Sequence, residues 1–122
     1  MQTTLVPTAA GQLHDTAEIR QRLAESERLT KTKHWKVAAD LLWSAFEAAV
    51  RLSLTQLGEQ TDRPIQISDT SSGLSTQAVA YGIIDPADRD SVLRLLSLST
   101  VDTDVLQQVK QITERTLDEM AQ

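Results

Sequence analysis

The sequence predicts an all-α protein, a four- to five-helix antiparallel bundle, and three observations carry that expectation. Aromatic residues make up 3% of the chain and there are only four glycines and three prolines, while Ala, Leu, Gln, Glu and Arg dominate the long segments. Those are helix formers, and the aromatic and turn residues of a strand-rich fold are scarce. Apolar residues recur at spacings of three and four, most clearly in Val105, Val109, Ile112 and Met120 near the end of the chain, which is the period of an amphipathic helix. Helix start and stop signals then divide the chain into segments of ordinary helix length.

Residues 1–14, with Pro7 and Gly11, read as a flexible leader, and residues 15–122 as a single domain. Asp15 or Thr16 suits an N-cap, with Glu18 in capping-box position relative to Asp15. Ile19, Leu23 and Leu29 mark one face of a first helix ending near Thr32. The second helix is predicted over Trp35 to Leu57, with Gly58 as its stop. On a wheel of 100° per residue with Lys36 at zero, Asp40, Glu47 and Arg51 fall at about 40°, 20° and 60°. All four charges therefore share one stripe, and Leu41, Leu42, Ala45, Phe46, Ala49, Val50 and Leu52 fill most of the rest. A helix apolar over most of its circumference is buried among neighbours. Lys36 with Asp40 and Glu47 with Arg51 are spaced as ion pairs four apart, and Ala38, Ala45, Ala48 and Ala49 permit close approach of another helix.

Residues 59–73, with Pro64 and Ser71-Ser72-Gly73, read as a connection containing a short extended piece at Ile65 to Ile67. A short helix from about Leu74 to Tyr81 ends at Gly82. Asp85-Pro86, a cap followed by proline in the first turn, starts a helix through Leu98 with Val92, Leu95, Leu96 and Ser99 on its face. Thr103 or Asp102 caps the last helix, whose apolar positions are Val105, Val109, Ile112, Thr116 or Leu117, and Met120.

A chain of 122 residues buries about two-thirds of the surface its unfolded form exposes and needs no disulfide or metal staple. It contains no cysteine, which removes thiolate metal sites, iron–sulfur clusters and cysteine nucleophiles and agrees with a reducing compartment. No stretch has the length and apolarity of a signal peptide or a membrane span; the expectation is a cytoplasmic protein without membrane contact. The net charge of −5 is uneven: residues 1–58 carry seven basic and six acidic side chains, residues 59–122 five basic and eleven acidic. An acidic domain is poorly suited to non-specific nucleic-acid binding, which depends on basic groups releasing phosphate counterions.

His14 and His34 are twenty residues apart on different segments, so no metal-binding His spacing exists and neither a metal nor a cofactor is expected. Phosphate loops, dinucleotide fingerprints and nucleophile elbows are also absent. The carboxylates at Asp85, Asp88 and Asp90, and at Asp102 and Asp104, surround helix starts, where aspartate caps and complements the dipole. The one basic and aromatic concentration is Lys31, Lys33, His34, Trp35 and Lys36. Such a cluster can hold phosphate and stack a base, and it is also what a junction between two helices looks like. Trp43 borders the charged stripe of the second helix, so it is either covered by another helix or part of an interface, where tryptophan is enriched.

From Lys33 to about Met120 the order of elements resembles the HEPN superfamily of prokaryotic helical bundles, many of them ribonucleases or defence and toxin–antitoxin components. The run Ala38-Ala39-Asp40-Leu41-Leu42-Trp43-Ser44-Ala45-Phe46-Glu47-Ala48-Ala49-Val50-Arg51-Leu52 is similar to the alanine-rich helix with an A-x-E-x-x-x-R rhythm in those proteins. Tyr81-Gly82-Ile83-Ile84-Asp85 looks like their lead into the helix that ends in the signature motif. That motif is arginine and a polar residue, then several residues and a histidine. Here Ser99 and Thr100 stand in the first two places and Asp104 where the histidine falls, so the resemblance implies a bundle without the ribonuclease chemistry.

The leading expectation is a non-catalytic HEPN-like module, not an enzyme, that forms a homodimer or binds a protein partner, with Trp35, Trp43, Glu47 and Arg51 as interface candidates. A second expectation is RNA binding or cleavage through Lys31, Lys33, His34 and Lys36. A third is a small-molecule site near Trp43 and Tyr81.

Overall fold

The computed structural model describes residues 16–100 and 102–120. The expected leader over residues 1–14, His14 and the expected cap at Asp15 lie outside them. Five helices follow in order, α1 (Thr16–Lys31), α2 (Trp35–Thr61), α3 (Ser71–Ala80), α4 (Pro86–Leu96) and α5 (Thr103–Met120), and there is no strand among the described residues. The protein is an all-α helical bundle.

The bundle is organised around α2, which touches each of the other four helices. Its Ala38, Leu42, Ala45, Phe46, Ala49, Val50 and Leu54 are buried, together with Ile19 and Leu23 of α1, Leu74 and Ala78 of α3, Val92 and Leu95 of α4, and Val105, Val109, Ile112 and Leu117 of α5. The side-chain contacts fix the directions. Arg22 of α1 donates to the Ser44 hydroxyl of α2 at 2.8 Å, each residue eleven positions from the turn at Lys33, so α1 and α2 form an antiparallel hairpin. Arg20 pairs with Asp118 at 2.8 Å and Glu27 with Lys110 at 3.6 Å, which sets α5 antiparallel to α1. Ser91 donates to Gln108 at 3.2 Å and Arg115 pairs with Asp88, which sets α4 antiparallel to α5. The buried hydroxyls of Ser26, Thr113 and Thr116 each donate to a carbonyl three or four residues back, at 3.0, 2.9 and 2.9 Å, so they demand no partner from across the core.

Three of the helices end in the same way. A residue in the left-handed region follows the last turn, and the next N–H reaches back to the carbonyl five residues earlier: Lys33 (φ 68°) with His34 N–H to Leu29 O at 2.8 Å, Asp62 (φ 57°) with Arg63 N–H to Gly58 O at 3.0 Å, and Gly82 (φ 73°) with Ile83 N–H to Ala78 O at 2.8 Å. This is the Schellman arrangement, usually built on glycine. The sequence expectation that Gly58 stops α2 is therefore wrong. Gly58 is buried inside the last turns, where an added Cβ would lie 3.2 Å from Arg63 O and 3.3 Å from Ile65 N. Its missing side chain makes room for the returning chain, and the left-handed residue is Asp62, four positions on.

Other boundaries also move. α3 begins at Ser71 rather than Leu74, because the Thr70 hydroxyl accepts from Gly73 N–H at 3.0 Å and turns the expected connection into a helix start. α4 ends at Leu96 rather than Leu98, so Ser99 lies beyond it rather than on its face. The piece expected over residues 65–67 lies outside any helix and pairs with no strand among the described residues. Instead the Gln77 side-chain amide clasps the segment, its oxygen accepting from Ser68 N–H at 2.8 Å and its nitrogen donating to Gln66 O at 2.7 Å. At the start of α4 the expectation holds in full: Asp85 accepts from Asp88 N–H at 2.8 Å, and the Asp88 carboxylate accepts from Asp85 N–H at 3.2 Å, with Pro86 in the first turn.

Two stability effects follow from these ends. Lys33→Gly removes the left-handed strain of a side-chain-bearing residue and is expected to raise stability by about 0.5–1 kcal/mol, more than Asp62→Gly does, since aspartate tolerates that region better. Asp85→Ala loses the side-chain acceptor of the Asp88 N–H, one of the two hydrogen bonds of the capping box, and is expected to cost about 1 kcal/mol. Thermal unfolding followed by circular dichroism measures both.

Candidate functional site

The first turns of α2 and the end of α4 enclose a cleft of about 410 Å³, lined by Trp35, Lys36, Ala39, Asp40, Trp43, Leu95, Leu96 and Leu98. Helix lengths explain why it exists. α2 has 27 residues and α4 has 11, or roughly 40 Å against 16 Å at 1.5 Å per residue. α4 runs antiparallel along α2 and stops before covering its N-terminal turns. Trp35 and Trp43 are therefore half-buried rather than enclosed, and Trp43 rests on the buried Phe46 with ring centroids 5.5 Å apart and a tilt of 37°. On the opposite wall Leu95 is buried while Leu96, the next residue, is 42% exposed. Lys36 and Asp40 are exposed at the rim. The cleft thus has an aromatic and aliphatic floor with one charge of each sign at its edge.

The interface candidates do not all meet there. Trp35 and Trp43 line the cleft, whereas Glu47 and Arg51 sit further along α2 and pair with each other at 3.3 Å, both partly buried. Lys36 and Asp40 form no ion pair among the described residues, so only one of the two expected pairs on the stripe is made. The sequence reading missed the second wall. No local signal marks it, because Leu95 and Leu96 read as one apolar face and adjacent helix positions such as Val105 and Leu106 are both buried elsewhere in the bundle.

The candidates for nucleic-acid contact gather at the turn between α1 and α2. Lys31, Lys33, His34 and Lys36 are all exposed. Lys31 lies 3.9 Å from Glu27, and the His34 ring Nδ1 is 3.0 Å from the Thr32 hydroxyl. Lys33 and Lys36 have no ion pair among the described residues.

Ser99 and Thr100 are exposed in the connection after α4, and Asp104 is exposed in the first turn of α5. The carboxylate that acts in this stretch is Asp102, one oxygen of which accepts from the N–H groups of Asp104 at 3.1 Å and Val105 at 3.2 Å. That is the work of an N-cap, and it decides between Asp102 and Thr103. Among the described residues no three His, Asp or Glu side chains are grouped to hold a metal ion. Trp43 and Tyr81 do not share a site: Tyr81, 45% exposed, lines a different cleft of about 250 Å³ with Ser53, Gln56, Ile83 and Glu119, at the far end of α2. No helix is long and apolar enough to cross a membrane among the described residues.

Comparison of the chain with protein-family models, with curated proteins and with solved structures found no significant match.

Proposed function

We propose that this chain is a non-catalytic binding module, a HEPN-like bundle that dimerises and offers its tryptophan-lined cleft to an apolar helix of a protein partner, in a regulatory role within a prokaryotic defence or toxin–antitoxin setting. The observation that carries the binding role is the cleft between α2 and α4. An apolar centre holding tryptophan, ringed by opposite charges, is the composition of a protein interface. The non-catalytic half rests on Ser99, Thr100 and Asp104, which supply no cation to neutralise an RNA phosphate during cleavage.

Light scattering coupled to size exclusion is expected to give a dimer. In parallel affinity capture, a partner held by the wild-type chain is expected to bind Leu96→Glu on the order of tenfold more weakly or worse, because the change forces an unpaired charge into an apolar contact. Equal retention by both forms counts against the cleft, and a clean monomer counts against the dimer.

A second reading has one observation in its favour, the four exposed basic side chains at the α1–α2 turn beside Trp35. RNA binding there requires an affinity that falls steeply with salt and is lost in the triple variant Lys31→Ala, Lys33→Ala, Lys36→Ala. Absence of a gel shift with single-stranded RNA at low salt removes this reading.

A further inference from the structure

The two flanks of α1 differ in what they face. One is docked on α5 through Arg20 with Asp118 and Glu27 with Lys110. The other borders a shallow groove of about 530 Å³, lined by Glu18, Gln21, Arg22, Ala24, Glu25, Arg28 and, from α2, Leu41. Val37, one turn before Leu41, is 55% exposed. Along this flank the charges alternate: Glu18, Arg22, Glu25, Arg28.

We propose that this flank is a homodimer face, on which α1 packs antiparallel against α1 of a second copy of this chain about a two-fold axis at the level of Leu23. The inference rests on the dimerising half of the proposed function and names the surface for it. A two-fold interface requires a patch complementary to itself, and the order of charges meets that requirement in one direction only. Read forwards the flank is negative, positive, negative, positive; read backwards it is the opposite at every place. Antiparallel pairing in this register sets Glu18 against Arg28 of the second copy and Arg22 against Glu25, each contact made twice. Parallel pairing in register sets every charge against its own kind.

The charges are already paired along the helix, Glu18 with Arg22 at 3.0 Å and Glu25 with Arg28 at 2.6 Å. Arg28 donates through Nε and Nη2 to both oxygens of Glu25, and that hydrogen bonding holds the Glu25 carboxyl below the usual carboxylate range. Pairing across the axis joins these couples into four-charge groups, which fix register and orientation more than they add affinity. Apolar contact comes from Ala24, whose short side chain lets the helix axes approach near the two-fold, and from Leu41. The Arg22–Ser44 contact puts the axis near the level of Trp43 on α2, so the two Leu41 side chains stand on the order of 6 Å apart in rise.

Sedimentation velocity on the whole chain tests this. The wild type is expected to be a dimer. Glu18→Arg and Arg28→Glu, each alone, are expected to weaken self-association on the order of tenfold or more, since either sets like charges together at both symmetry-related contacts. Circular dichroism verifies that both variants keep their helix content. Mixed in equal amounts they are expected to dimerise again, because each reversed charge then faces an opposite one. Leu96→Glu, which alters the cleft, is expected to remain a dimer. Single reversals that dimerise like the wild type, or a mixture that stays monomeric, overturn this face. Loss of the dimer in Leu96→Glu alone moves the contact to the cleft and leaves dimerisation standing. A monomeric wild type overturns both.

Discussion

The structure depends on the burial of α2. A 27-residue helix with so little polar surface has no stable place at the edge of a bundle, and the other four helices are arranged as its cover. Phe46, fully buried, stands at the centre. Truncating a buried phenylalanine costs about 3–5 kcal/mol, against a total stability of about 5–15 kcal/mol for a domain. The alanines matter as much as the large side chains. Ala38, Ala45 and Ala49 are completely buried, and their small size lets neighbouring helices approach closely, with Ile19, Leu23, Val105 and Val109 buried in the same core.

What covers α2 is set by how each covering helix ends. The turn at Lys33 is tight enough to fold α1 straight back along α2, and the side-chain contact between Arg22 and Ser44 is the natural consequence of equal arms. At the other end Gly58, Asp62 and the Gln77 clasp bring residues 63–68 back over the last turns of α2 and deliver the chain to α3. α3 and α4 are then too short to finish the task. The uncovered portion is the first turns, which hold Trp35 and Trp43, and tryptophan suits a half-covered position because one edge of the ring can remain in water while the rest packs, as Trp43 does on Phe46.

Much of the fold was legible in the sequence because its signals are local. The capping box at Asp85 and Asp88, the proline at position 86 and the left-handed glycine at 82 all act within a few residues of one another, and the end of α3 and the start of α4 follow from them. Part of what was missed has a tertiary cause. Lys33 and Asp62 adopt the left-handed conformation without being glycine, because the tertiary path requires a reversal there, while Gly58 is glycine for the sake of a chain segment that returns only after the reversal. Gln77 clasps residues eleven and nine positions away, a contact with no periodic trace. In the candidate site, Trp43 could be singled out from its place beside the charged stripe of α2, and Trp35 from the basic and aromatic cluster at the start of that helix. Their partners Leu95, Leu96 and Leu98 could not, since only the relative lengths and directions of α2 and α4 bring them together.

The same wheel separates the two proposed surfaces. Trp43, Lys36 and Asp40 lie within about 60° of arc and face α4, whereas Val37 and Leu41, at roughly 100° and 140°, lie on the side of α1. A partner in the cleft and a second copy along α1 therefore approach α2 from different directions and need not compete. The α2 wall of the cleft and the α1 flank nevertheless belong to one hairpin, since α1 and α2 are joined by a three-residue turn and share the buried cluster of Ile19, Leu23, Ala45 and Phe46. A dimer built on α1 then holds its two clefts at a fixed separation and orientation, and a partner that presents two binding helices at that spacing gains an effective-concentration advantage over one that presents a single helix. In this arrangement dimerisation serves recognition through geometry alone, with no residue of one copy entering the cleft of the other.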